Sequence, residues 1–226
     1  MIRSKSLPYI GPFFALIVLL ALSRAPLPLS PFLIQAEFVV LMCVVIAVAA
    51  RHAPDLQKAN FRVQHWIGSA LLGALVFVIW IGPDRLFPGY RHHLIFENAL
   101  MGTVRPGALP ESPHHMALWL RAFRAAAIVP LVEELFWRGW LMRWMIAPDF
   151  LTVAPGTWSA SAFWVVAVLF ACEHGSFWEV GLAAGLLYNW WMIRTKSLAD
   201  VTVAHAVTNA CLSAYVVAAG KLEYWS

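Results

Sequence analysis

Apolar runs of membrane-crossing length alternate with polar connections along the whole chain. The first run follows a basic start in MIRSKSLPYIGPFFALIVLLALSRAP. It has the outline of a signal peptide, yet Arg24 falls where a small-residue cleavage site belongs and every later segment is itself apolar. It therefore reads as a retained first span. Phe32–Ala50, Trp66–Gly82 and about Met116 to Trp144 give the second, third and fourth spans. Trp158 to about Trp178, Val180–Ile193 and Val201–Gly220 give the fifth, sixth and seventh. The expected fold is an all-α integral membrane bundle of seven helices. It becomes eight if the long polar connection Pro83–His115 holds a further short or re-entrant segment; a short interfacial helix over Leu94–Met101 is also expected in that connection. No repeat, linker or low-complexity stretch divides residues 1–226, which read as one membrane domain.

Composition sharpens this picture. Hydrophobic residues make up 61% and charged residues 12% of the chain, and the mean hydropathy is +0.71. Soluble domains hold roughly 45–50% apolar and 25% charged residues, so an integral membrane protein is indicated. The net charge of +4 is then a matter of topology and anionic lipid, and no aromatic-interleaved basic patch points to nucleic acid. Counting Lys and Arg by side gives nine with the N-terminus against five opposite, which predicts a cytoplasmic N-terminus. Cys43, Cys172 and Cys211 lie in apolar runs without zinc spacing and read as reduced packing residues. Trp66, Trp119, Trp158 and Trp190 fall near span ends, where aromatic belts sit. The pairs His92–His93 and His114–His115 lack spaced partners and read as solvated loop features.

The chemistry concentrates in the fourth span, at Leu131–Arg143, LVEELFWRGWLMR. An ionisable side chain at a membrane helix centre costs about 2.5–3.5 kcal/mol on insertion scales, so Glu133 and Glu134 together need partners or a function. Arg138 stands four residues after Glu134 on the same helical face and can pair with it. A purely structural ion pair would account for Glu134 and leave Glu133 unexplained. Pro130 removes a helical N–H, frees the carbonyl of Ala126 and should kink the helix beside the carboxylates.

Two later spans carry matching polar insertions. Phe170-x-x-x-His174 puts a histidine in the fifth span, and His205-x-x-x-Asn209 puts an imidazole and a carboxamide on one face of the seventh, where Thr202 and Ser213 extend a polar stripe. At about 1.5 Å per residue, all of these fall roughly 10–24 Å in from one side of the membrane, so they can line one cavity, expected to open toward the cytoplasm. Cys172 and Glu173 should point away from it. Gly181 and Gly185 have GxxxG spacing, which permits close helix approach.

Glu133-Glu134-x-x-x-Arg138, Phe170-x-x-x-His174 and His205-x-x-x-Asn209, in this order, resemble the three motifs of the CAAX prenyl endopeptidase and bacteriocin-processing family of intramembrane proteases. The resemblance covers residues 118–213. Tyr9-x-x-Pro12-Phe13 is faintly similar to the CAAX-protease-related proteins of bacterial exosortase systems, which would place the chain in a bacterial inner membrane. The resemblance implies an intramembrane endopeptidase acting near the C-terminus of a lipidated or membrane-anchored polypeptide, with the bilayer and that substrate as partners. Glu133, desolvated beside a second carboxylate, suits a general base; His174 would help hold or deprotonate the water; His205 and Asn209 would donate to the oxyanion; Glu134 would pair with Arg138 and orient the site. No cofactor is expected. Zinc on Glu133, His174 and His205 is the less favoured alternative, and a non-catalytic scaffold or immunity protein of the same family is the other.

Overall fold

A computed structural model describes residues 3–23, 25, 28–98 and 115–225. Its main helices are α1 (Arg3–Ser23), α2 (Pro31–His52), α3 (Trp66–Leu86), α4 (His115–Trp144), α5 (Ala160–Cys172), α6 (Trp178–Thr195) and α7 (Leu198–Ala219), with no strand among the described residues. Helix ends follow local chemistry. Ser30, Ser159 and Ser197 cap α2, α5 and α7 by accepting from the backbone N–H of Leu33, Ala162 and Asp200. Gly220, with φ of 66°, closes α7 in the left-handed region that a glycine enters at little cost.

Five helices, α1 to α4 and α7, are long and apolar enough to cross a membrane. Their surfaces are inverted relative to a soluble protein. Leu41, Val44, Val48, Leu71 and Val78 lie exposed in mid-helix, while Arg138, Glu134 and Asp200 are fully buried. Exposed Cys43 and Cys172 lie on this outer surface, so they are not the packing residues expected. The remaining two helices form a hairpin. The fifth span was expected to continue to Trp178, but α5 stops at Cys172; Gly175, with φ of 52°, and a 3-10 turn at Gly175–Phe177 reverse the chain. Thirteen residues reach only ~20 Å, so α5 alone is too short to cross a ~30 Å hydrocarbon core. The turn after it is met by the 90–98 segment. Arg91 donates to the carbonyl of Ser176 and pairs with Glu179, and the indole of Trp178 donates to the carbonyl of Ile95. Residues 93–98 form hydrogen-bonded turns, not the expected interfacial helix, whose later residues fall outside the described ones, as does His114.

Helices α1, α3, α5 and α7 begin at the N-terminal end of the bundle, and α2, α4 and α6 end there. That end is tied across the chain by Lys5–Asp149, by Trp140 donating to Ser6, and by a buried triad. In the triad Tyr9 and Arg143 both donate to Asp55, each at 2.6 Å. Phe13 stacks on Phe136 with centroids 4.0 Å apart, so α1 lies along the face of α4 that follows the two glutamates. Asp200, at the start of α7, accepts from the backbone N–H of Gln64 and His65 and from the Ser69 hydroxyl. Close approach elsewhere depends on glycine. A Cβ at Gly73 would collide with the Ala204 carbonyl across α3 and α7, and one at Gly185 would sit 3.2 Å from the Ala167 backbone across α6 and α5. The GxxxG spacing in α6 thus packs the hairpin.

The alternation also revises the charge count. Arg138 is buried in mid-bundle, whereas Arg121 and Arg124 belong to the end opposite the N-terminus. Nine against five becomes eight against seven, and the asymmetry no longer orients the chain.

Candidate active site

The fourth helix is not regular. Two π-helical stretches, Arg124–Ile128 and Leu135–Leu141, flank a short α-helical piece, Val129–Glu134, that carries both glutamates. Pro130 is the local cause. In the first stretch Val129 donates to the carbonyl of Arg124, an i→i−5 bond. The next bond of that register would run from residue 130 to Ala125, and proline has no N–H to make it. The carbonyl that proline frees is therefore Ala125's, not Ala126's as an α-helical register predicts. It accepts instead from the side-chain amide of Asn209, at 2.9 Å. Widened turns shift the residues after them around the helix axis, and this one turns Glu133 and Glu134 inward together; their relative exposures are 7% and 0%.

Glu134 and Arg138 form the expected i,i+4 pair, at 2.9 Å and wholly buried. The guanidinium is held on every side. Nε donates to Asn189 Oδ1, Nη2 to the Gly185 carbonyl, and its plane lies 4.7 Å from the Phe170 ring centre. Asn189 is itself fixed by donating to the Phe163 carbonyl. Neither Asn189 nor Tyr188 stood out in the sequence. Tyr188 stacks on His205, centroids 5.0 Å apart, and donates to Thr208, so it walls the imidazole in. Only its place beside Gly185 in an otherwise apolar helix hinted at a role.

His205 bridges the carboxylates. Its Nδ1 lies 2.8 Å from Glu134 Oε1 and its Nε2 lies 4.0 Å from Glu133 Oε2. Because Glu134 Oε1 also takes the arginine, Nδ1 is the donor and Nε2 is the ring nitrogen left facing Glu133. His174 is oriented the same way by a different group. Its Nδ1 lies 2.7 Å from the Phe170 carbonyl, which only accepts, so Nε2 is the bare acceptor. Gly181 opposite leaves room for the ring, since a Cβ there would stand 3.2 Å from it. His174 is not in a helix. It occupies the turn, at φ −92° and ψ 7°.

Glu133, His174, His205 and Asn209 line one cavity of about 410 Å³. Glu133 Oε2 is buried there without a hydrogen-bond partner; Glu134 Oε2, outside the lining, is also buried without one. Two expectations fail at this point. The cavity runs toward Trp80, Arg121, Ser213 and Trp225, all at the end opposite the N-terminus, so it opens away from the side expected. Glu173 also lines it and accepts from the Trp137 indole at 3.2 Å. Glu173 would point outward only on a continuous helix, and the helix ends one residue before it. Cys172, still helical, is exposed and lies outside the lining. Of the stripe on α7, Thr202 donates back to the carbonyl of Leu198, and Ser213 accepts from the Trp225 indole. Among the described residues no three His, Cys, Asp or Glu side chains are grouped to hold a metal ion.

Comparison with curated proteins and with solved structures finds no match. Protein-family comparison does, over residues 115–211, a stretch that holds all seven motif residues from Glu133 to Asn209. The family is described as type II CAAX prenyl endopeptidase Rce1-like, and the match covers somewhat less than half of the chain.

Proposed function

We propose that the protein is an intramembrane endopeptidase that cleaves near the C-terminus of a lipidated or membrane-anchored polypeptide. The observation that carries this reading is the unpartnered buried oxygen of Glu133 beside two oriented imidazoles in one cavity. Peptide hydrolysis needs a group to take a proton from water and donors for the oxygen that becomes anionic. Glu133 and the bare Nε2 of His174 are both acceptors, suited to hold and deprotonate the water. Two carboxylates against one guanidinium leave one negative charge, which a single proton on His205 or Glu133 neutralises. With that proton on His205 Nε2, Glu133 is the free base and His205 a charged donor to the oxyanion. Once the tetrahedral intermediate collapses, Glu133 carries the proton that the departing amine needs. Asn209 supplies a second donor through the Nδ2 hydrogen that Ala125 does not take. Glu134 and Arg138 touch no reacting atom in this scheme; they set the tautomer and position of His205.

The substrate follows from the family's description and the setting. A site buried among apolar helices suits a chain end delivered by a lipid or an apolar anchor. A second reading has Glu133, His174 and His205 holding zinc, for which they would have to draw closer together than they stand. One experiment separates these readings. The purified protein in detergent is given a farnesylated peptide ending in a C-a-a-X sequence, with and without a strong chelator, and products are read by mass spectrometry. A single cut between the lipidated cysteine and the chain end, insensitive to chelation, is expected. Loss of cleavage on chelation, restored by zinc alone, moves the mechanism to the metal, and an intact peptide in both arms removes the protease reading for this substrate.

A further inference from the structure

Pro130 interrupts the fourth helix three residues before Glu133, and no step of the proposed hydrolysis involves it. Three observations give it a task. The helix around it is π-helical, with Val129 bonded to the Arg124 carbonyl. In that register the Ala125 carbonyl is the group that residue 130 would bond, and a proline cannot. The side chain that takes up this carbonyl is Asn209, from a different helix, at 2.9 Å, and Asn209 lines the same cavity as Glu133. An amide nitrogen has two hydrogens in a fixed plane, so a bond from one fixes where the other points.

We propose that Pro130 is a positioning residue for the hydrolytic site. By withholding its N–H from Ala125 it keeps that carbonyl open for Asn209 and so locks the amide of Asn209 in the orientation that presents its second N–H to the cavity. The chain thereby fixes a group on α7 by leaving a hydrogen bond out of α4. A backbone N–H at position 130 would bond Ala125 in the register that Val129 already follows, and Asn209 then loses its anchor. The role of Asn209 in catalysis rests on the reading above; its anchoring by a proline-vacated carbonyl does not.

The test is a double-mutant cycle of Pro130→Ala and Asn209→Ala with two readouts. The first is the thermal midpoint in detergent, which needs no substrate. Asn209→Ala leaves a half-buried carbonyl without a protein donor when residue 130 is proline, and should lower the midpoint by about 2–6 °C. In the Pro130→Ala background the carbonyl has a backbone donor, and the same change should shift the midpoint by no more than about 1 °C. The second readout is cleavage of the farnesylated peptide. Pro130→Ala should lower kcat about tenfold with KM little changed, and should lower it no further once Asn209 is gone, because it acts only through Asn209. Multiplying losses in kcat, or equal midpoint shifts in both backgrounds, overturn the proposal. Should wild type fail to cleave the peptide, the protease reading falls while the midpoint cycle still decides whether Pro130 sets Asn209. Pro130→Gly, which also restores the N–H, serves if Pro130→Ala does not fold, and the same non-additivity is expected.

Discussion

Two buried carboxylates in this bundle have opposite surroundings. Asp200, at the head of α7, takes up the backbone N–H of Gln64 and His65 and the hydroxyl of Ser69, and lies at the N-terminal end. Glu133, in mid-bundle on α4, has one oxygen 4.0 Å from His205 Nε2 and without a hydrogen-bond partner. The first is closed. It joins the 51–65 connection to α7 and leaves no acceptor over for anything arriving from outside. The second is open, at a place where an unmatched acceptor is most expensive to keep. Nothing about residue type, burial or charge separates them; both are fully or nearly fully buried acids. What separates them is whether their hydrogen bonds are already made. A buried charge with every bond filled holds the structure together, and one with a bond held back is available for chemistry.

Neutralising each acid without changing its shape sharpens that contrast, and Glu133→Gln should show the largest effect. Removing a general base typically costs about 10²–10⁴ in rate. Glu133→Gln should therefore lose most peptide cleavage while its thermal midpoint stays level or rises, since a desolvated charge is gone. Asp200→Asn should do the reverse, with a lowered midpoint and a kcat within about twofold of wild type. A Glu133→Gln protein that unfolds and an Asp200→Asn protein that stays sound but inactive would exchange the two roles. The measurements are detergent thermal shift and peptide cleavage on the same preparations.

The arginines of α4 test the comparison from the cationic side. Arg138 and Arg143 are both buried and both satisfied, the first by Glu134, Asn189 and Gly185, the second by Asp55, Gly139 and Val153. Breaking a buried ion pair by removing one partner typically costs about 3–5 kcal/mol, since the other charge is left alone. Arg138→Ala and Arg143→Ala should thus lose similar stability. Only Arg138→Ala should also lose turnover in the fraction that remains folded, because Glu134 then no longer holds His205. Equal specific activity of the two folded fractions would sever Glu134 and Arg138 from the site.

How much of this was readable in the chain divides along the same line. Apolar period and length gave the helices, because a membrane forces backbone hydrogen bonds inside each segment. The i,i+4 spacing of Glu134 and Arg138 gave their pair, because that contact is local. What the sequence could not carry is where a helix stops against its neighbours. The fifth helix ends at Cys172, on a glycine turn inside an apolar stretch, and that end brought Glu173 into the cavity and moved the cavity's mouth to the other side. Tyr188 and Asn189 were missed for a related reason. They sit in a helix whose facing partners, Thr208 and Arg138, are set by tertiary packing alone. The proline was legible as a break, but which carbonyl it frees depends on a π-helical register that spacing does not reveal.

The smallest effect should come from Tyr9, which tests whether the closed end is indifferent to the open one. Its ring is fully buried and packs edge-on against Phe150 at 4.9 Å, and its hydroxyl donates to Asp55 Oδ2 alongside Arg143. Tyr9→Phe keeps the ring and deletes one bond to a charged acceptor that still has its arginine. Such a bond contributes about 1.5–3 kcal/mol, and the surviving ion pair should hold the loss near the lower figure. For a chain of this size that is a midpoint lower by about 3–6 °C. Turnover should not change, because Tyr9 does not line the cavity and the substitution leaves the stacking of Phe13 on Phe136 in place. A drop in kcat of tenfold or more with the midpoint unmoved would mean that the N-terminal helix acts on the chemistry directly, and that the closed and open regions are one unit.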